Sequence, residues 1–236
     1  MNNTAQYRSM SGDNEGALVD FDLALEIHER LLGTDHPEYA TCLENHGGIL
    51  YRLGRADETF AALERVQDIR SRNLGPSHIN VLRTQINMGT VAMLNKDYQR
   101  SLSIFRELKP RLIEARGLDH PDILVVLRNE GIALRSIKKF DESQVVFEQT
   151  MDISKRMYGL DHPATARNHG DFGAMLVEAE KFSAAEPHLL TAFEIYLRTS
   201  GSEHPRTKDM AQWLVRLYEK TGRNDQAEPY RQYNEE

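Results

Sequence analysis

The sequence contains a single cysteine, Cys42, so no internal disulfide can form and no oxidising compartment is required. No apolar run approaches the length of a membrane span. The opening Met-Asn-Asn-Thr-Ala-Gln lacks the basic and apolar regions of a secretory signal. The expectation from these absences is a cytoplasmic location with no membrane as partner. Basic excess is missing too: the net charge is -7, whereas phosphate binding needs a concentrated basic surface, so protein rather than nucleic acid is the expected partner. Catalytic groupings are equally scarce. Asp171-Phe172-Gly173 spells a fragment of the protein kinase signature, but no Gly-rich loop, Val-Ala-Ile-Lys strand or catalytic-loop motif accompanies it. Cys42 and His46 stand one turn apart on an expected helix without an identifiable third member for nucleophilic chemistry. No catalytic residue and no cofactor is expected.

What the sequence does contain is a period. Gly33, Gly75, Gly117, Gly159 and Gly201 recur at steps of 42, and His36, His78, His120, His162 and His204 keep the same step. A repeat of this length marks a solenoid, in which one unit cannot bury its apolar face alone and stacks on its neighbours. The units are 1–32, which opens inside a repeat, then 33–74, 75–116, 117–158, 159–200 and 201–236, together one solenoid over 1–236. The clipped first unit admits two explanations, a fragment of a longer solenoid or an end covered by a partner. Leu18, Phe21 and Leu25 are then expected to be less covered than their counterparts, so self-association through this end is expected.

Each full unit reads as two helices. Glycine suits a left-handed helix stop, and Pro37, Pro121, Pro163 and Pro205 suit the first position of the next helix. Helix A is expected at about 37–53, a turn at 53–56 and helix B at about 57–73. Pro110 lies inside the expected helix B of residues 98–115, where a missing hydrogen bond predicts a kink. Gly47, Gly89, Gly131 and Gly173 form a column inside helix A, which implies close approach by helix B. Small residues Thr59, Ser101, Ser143, Ala185 and Ala227 line that approach, with Leu63, Phe105, Phe147 and Leu189 beside them.

The run Leu-Gly-Thr-Asp-His-Pro, then Asn-His-Gly-Gly-Ile-Leu-Tyr, then Gly-Arg-Ala-Asp-Glu-Thr, resembles the tetratricopeptide repeat in its 42-residue form, as in kinesin light chains. The likeness covers essentially the whole chain. It departs from the family at His46, Met88, Glu130 and Phe172, where leucine is usual, and at Trp213, which interrupts an asparagine column. The resemblance implies an all-α fold, a right-handed superhelical solenoid of antiparallel helix hairpins. It also implies a concave face, lined by the A helices, that binds peptides or partner proteins.

Five histidines in one column suggest metal, but members one repeat apart stand at helix-packing separations of about 10 Å, whereas a zinc ligand sits about 2 Å from the ion. Capping is the expected role, with no metal site. On the A helices, positions 41, 44, 45, 48 and 51 share one face, opposite Leu43, Gly47 and Leu50. Asn3, Asn45, Asn87, Asn129 and Asp171 run along it and can bond the main chain of an extended peptide. Arg83, Arg128, Arg135 and Arg167 form a basic stripe beside them, which suits an acidic segment because guanidinium forks bind carboxylates. The expected function is a non-catalytic protein- or peptide-binding scaffold that takes an extended, acidic segment at Asn45, Arg83, Asn87, Arg128, Asn129, Arg135, Arg167 and Asp171. The alternative is the sensory or regulatory part of a larger signalling enzyme, a kinase or ATPase, whose catalytic domain lies outside this chain.

Overall fold

A computed structural model describes residues 2–233, at positions 2, 3 and 6 by the backbone alone. Asn3 therefore lies outside the described side chains. Among the described residues all regular structure is helical. The chain divides after Gly117 into two compact units. The first holds α1 (Asn2–Met10), α2 (Asn14–Leu32), α3 (Pro37–Arg52), α4 (Ala56–Leu74), α5 (Ile79–Leu94) and α6 (Tyr98–Arg116). The second holds α7 (Pro121–Ser136), α8 (Phe140–Tyr158), α9 (Pro163–Glu178), α10 (Phe182–Ser200), α11 (Pro205–Lys220) and α12 (Asn224–Arg231). Within each unit every helix packs on the next in sequence, so each is a stack of antiparallel helix hairpins.

The punctuation works by local backbone chemistry. The long B helices stop at glycines such as Gly33, whose φ of 83° is in the left-handed region and whose N–H returns to the Glu29 carbonyl at 3.0 Å. Each A helix then starts on a histidine cap. Nδ1 of His36, His78, His120, His162 and His204 accepts the backbone N–H two residues on, at 3.1 to 3.2 Å. The histidine column is thus a set of helix caps, one for each restart. The turn between helices A and B needs a left-handed residue as well: Gly54 supplies it in one repeat, while Lys96, Lys138 and Glu180 adopt φ of 63°, 60° and 58° in others.

Glycines inside the A helices admit side chains of the B helices. A Cβ placed on Gly89 would lie 2.6 Å from the Phe105 ring, and one on Gly131 would lie 2.9 Å from the Phe147 ring. Both rings are fully buried. The small-residue column does more than clear space, because the Ser101 and Ser143 hydroxyls donate to the Gly89 and Gly131 carbonyls at 2.9 and 2.8 Å. Helix α6 runs without interruption through Pro110. At the first hairpin, Leu18 and Phe21 prove to be buried, against the expectation that they lack cover. On α1 the exposed large apolar residues are Tyr7 and Met10, at 74% and 84%; Ile49, one period after Tyr7, is 5% exposed because α2 covers it.

Arginines near the ends of three B helices reach back to an aspartate at the start of the same repeat. Arg72 meets Asp35 at 2.8 Å, Arg156 meets Asp119 at 2.6 Å and Arg198 meets Asp161 at 2.9 Å, each pair 37 residues apart. The Arg72 hydrogen bond holds the Asp35 carboxyl below the usual carboxylate range. In the repeat 75–116 the two positions are Ser77 and Glu114, and the clasp has no counterpart.

Candidate functional site

The A-helix face of the first unit carries Asn45, Arg83 and Asn87. Asn45 is half-buried and lines a cavity of about 290 Å³ between α1, α2 and α3, with Met10, Phe21, Gly48 and Arg52 among its walls. A second cavity, of about 180 Å³, opens on the other side of Gly48 between α3, α4 and α5. Both include Glu44 and Gly48, so this face is hollowed on either side of one glycine. Asn87 is exposed and donates to Glu44 Oε1 at 3.2 Å, while Arg70 holds Glu44 Oε2 at 2.7 Å and Thr84 Oγ1 at 2.8 Å. Arg83, one turn before Asn87, is exposed and has no carboxylate partner among the described residues.

The second unit differs from the expected basic stripe. Arg128 Nε donates to Asp171 Oδ2 at 2.5 Å, and Arg135 Nε stands 3.4 Å from Glu178 Oε2. These guanidinium groups are held by carboxylates on the next A helix and tie α7 to α9. Asn129 is 3% exposed, so its amide faces the interior rather than a ligand. Arg128, Arg135 and Asp171 thus stand in ion pairs within the unit, and Asn129 is buried. Arg167 remains exposed, with the Tyr196 hydroxyl beside it. Trp213, noted in the sequence only as a break in a column, lies under two arginines: Arg216 at 5.1 Å from the ring centroid and Arg135 at 5.9 Å.

Two residues of the repeat columns are small or short in the first unit and shape its face. Gly48 has no counterpart among Thr90, Ile132, Ala174 and Arg216, which occupy its column, and Leu63 replaces the phenylalanines of the next two repeats.

The candidate chemistry of Cys42 and His46 also becomes concrete. Asp22 Oδ1 stands 3.0 Å from His46 Nε2, which supplies the third group missing from the sequence. Yet the Cys42 thiol is fully buried and burial pushes its pKa up to about 11, the reverse of an activated nucleophile. Among the described residues no three or more His, Cys, Asp or Glu side chains gather as a metal site, and no helix is long and apolar enough to cross a membrane.

A family model described as the tetratricopeptide repeat matches residues 1–58, 43–108, 81–156 and 122–198. Among solved structures, the nearly identical TPR-like repeats of a putative kinesin light chain from Podosopora anserina align with a TM-score of 0.74 at 17% identity, covering 84% of this chain and 93% of that one. BtubC (BKLC) from P. vanneervenii aligns with a TM-score of 0.72 at 21% identity, over 85% of this chain and 80% of that one. The apo form of RapI gives a TM-score of 0.74 at 12% identity, over 96% and 92% of the two chains. At these identities the likeness is one of fold. No curated protein matches the sequence.

Proposed function

Because the chain belongs to the tetratricopeptide repeat family, we propose that it is a non-catalytic scaffold, cytoplasmic, that receives an extended segment of a partner protein on its A-helix face. The observation that carries this reading is the hollow on either side of Gly48, where apolar Met10 and Leu94 are exposed beside the amides of Asn45 and Asn87. Apolar walls provide affinity, and a few placed polar groups orient the main chain. The acidic character of the segment rests on Arg83 and Arg167, the two A-helix arginines of the expected stripe that stay exposed. Each guanidinium can hold a carboxylate by charge-assisted hydrogen bonds.

The test is capture of partners from a lysate by the wild-type chain and by Gly48→Arg, followed by identification of what is retained. A Cβ at Gly48 meets nothing within 4 Å, and Arg216 already occupies this column, so the variant keeps the fold while blocking the hollow. Proteins retained by wild type and lost by Gly48→Arg, with Arg83→Glu weakening them in a salt-dependent way, are the expected result. Equal retention by both chains would place the ligand elsewhere.

Self-association through the first hairpin belongs to the same proposal, supported by the exposure of Tyr7 and Met10. Tyr7→Ser with Met10→Ser is expected to lower the apparent mass in light scattering at high concentration. A monomer mass for wild type over the whole range would remove this part.

A further inference from the structure

We infer that the hairpin of α3 and α4 contains a vacant socket for a phenyl- or isobutyl-sized side chain, and that the partner segment is anchored there by phenylalanine or leucine. The inference rests on the scaffold reading above and narrows it to one subsite.

Its origin is two omissions in one repeat. In the repeats 75–116 and 117–158, the space beside the helix-A glycine is filled by Phe105 and Phe147, and in 159–200 by Leu189, which would lie 2.7 Å from a Cβ on Gly173. At Gly47 the nearest atom to such a Cβ is Cβ of Ala62, at 3.5 Å, and no atom of Leu63 comes within 4 Å. Leu63 is buried but does not reach the glycine. The second omission is the next residue, Gly48, whose column elsewhere carries Thr90, Ile132, Ala174 and Arg216. Together they leave the opening of about 180 Å³, with Leu63 and Val91 in its wall and Leu94 and Tyr51, 49% and 37% exposed, at its mouth.

Charge selects the occupant. Glu44 is the only ionisable acid or base lining the opening apart from the Tyr51 phenol, and both its oxygens are engaged, Oε2 by Arg70 and Oε1 by Asn87. The Arg70 guanidinium balances the Glu44 charge, so the pair presents no net charge to an entering side chain. The Thr90 hydroxyl is turned to its own helix, donating to the Ile86 carbonyl at 2.8 Å. What remains for a ligand is a neutral apolar wall. An apolar cavity of about 150 Å³ is known to hold benzene, so this opening matches one ring or one branched aliphatic group.

The test uses a random peptide library displayed on phage, selected on the wild-type chain, with enriched peptides then measured on Leu63→Phe and Leu94→Lys. Leu63→Phe puts back the residue of the neighbouring repeats, and Leu94→Lys alters an exposed position at the mouth; thermal melts verify that both stay folded. Enriched peptides are expected to share a phenylalanine or leucine and to lose about tenfold or more in affinity on both variants, the range for a filled apolar pocket. Peptides that bind the variants as they bind wild type, or that share no apolar residue, overturn the socket. If those same peptides are lost on Gly48→Arg, the scaffold reading survives without it. A library from which nothing is enriched overturns both.

Discussion

The Ser143 hydroxyl donates to the backbone carbonyl of Gly131 at 2.8 Å, across the interface between α8 and α7 and twelve residues back along the chain. Ser101 makes the same bond to Gly89, and Thr59 makes a longer one to Gly47 at 3.3 Å. Ala185 and Ala227 occupy the same column and cannot. The bond is buried, so it stabilises each hairpin beyond the mere fit of a small residue. Ser143→Ala is expected to lower stability by about 1 kcal/mol, the usual net worth of such a bond. Ala185→Ser is expected to raise it by a similar amount, by giving the Gly173 carbonyl the donor that its repeat lacks. Urea unfolding of the two variants checks both signs.

Backbone strain gives a second prediction. Lys96, Lys138 and Glu180 hold left-handed φ values at a position where Gly54 and Gly222 serve other repeats. A non-glycine residue in that region is disfavoured by about 1 to 2 kcal/mol. Part of this is offset because glycine loses more freedom on folding. Each of Lys96→Gly, Lys138→Gly and Glu180→Gly is therefore expected to stabilise, by up to about 1 kcal/mol. Thermal melts of the three single variants and their combination would show an additive rise.

A third prediction concerns acid. His169 and His188 face each other with Nδ1 atoms 2.9 Å apart, and Phe172 lies 4.6 Å from the His188 ring. One Nδ1 must donate and the other accept, so the two rings cannot both carry a proton there without breaking the bond. Burial, with His188 and Lys155 adding repulsion, pushes the His169 pKa down to about 4, and burial also lowers His188. An unfolded histidine titrates near 6.5, so between about 6.5 and 4 the unfolded chain binds the proton first. The stabilising contribution is complete above 6.5 and is lost as pH falls toward 4, on the order of 3 kcal/mol for His169. The repeat 117–158 carries Leu127 and Val146 at these positions. His169→Leu with His188→Val is expected to flatten the dependence of unfolding free energy on pH across that window. An unchanged slope would show that other groups carry it.

The Arg128–Asp171 pair supplies a fourth. Both side chains are largely covered, at 21% and 15% exposure, so removing one leaves the other without its partner in a partly desolvated place. Arg128→Ala is expected to cost about 1 to 3 kcal/mol. The exchange Arg128→Asp with Asp171→Arg recovers part of that loss. A double-mutant cycle of wild type, Arg128→Ala, Asp171→Ala and the double variant measures the coupling, and a value near zero would reduce the pair to ordinary surface charge.

The hairpins, their boundaries and their glycine packing were legible because the same geometry is written several times over, and a column averages out local noise. The histidine caps were legible for the same reason, since each sits one place before the proline or isoleucine that starts an A helix. The face was not. Column alignment sets Arg128 over Gly170 and Arg135 over Val177, neither of which has a charge. Their partners are 43 residues on, at Asp171 and Glu178, and Asn87 likewise meets Glu44 rather than Asn45. Side chains on a helix lean along its axis, so a group finds its neighbour on the next parallel helix one position off the period. The pairing stayed hidden behind a one-residue offset, and the arginines looked unpaired.

The arginine–aspartate clasps have a bearing on how such a chain can be rearranged. Asp119 and Arg156 belong to the same stretch of 42 residues, as do Asp161 with Arg198 and Asp35 with Arg72. A stretch duplicated, deleted or shuffled as a block takes both halves of its clasp along, and no partner is stranded in the sequence left behind. The pair is a self-contained insert, so gene rearrangement and laboratory splicing can change the number of repeats without any compensating substitution at this position. The block 75–116, with Ser77 and Glu114, is the one of the four that travels without such a fastening.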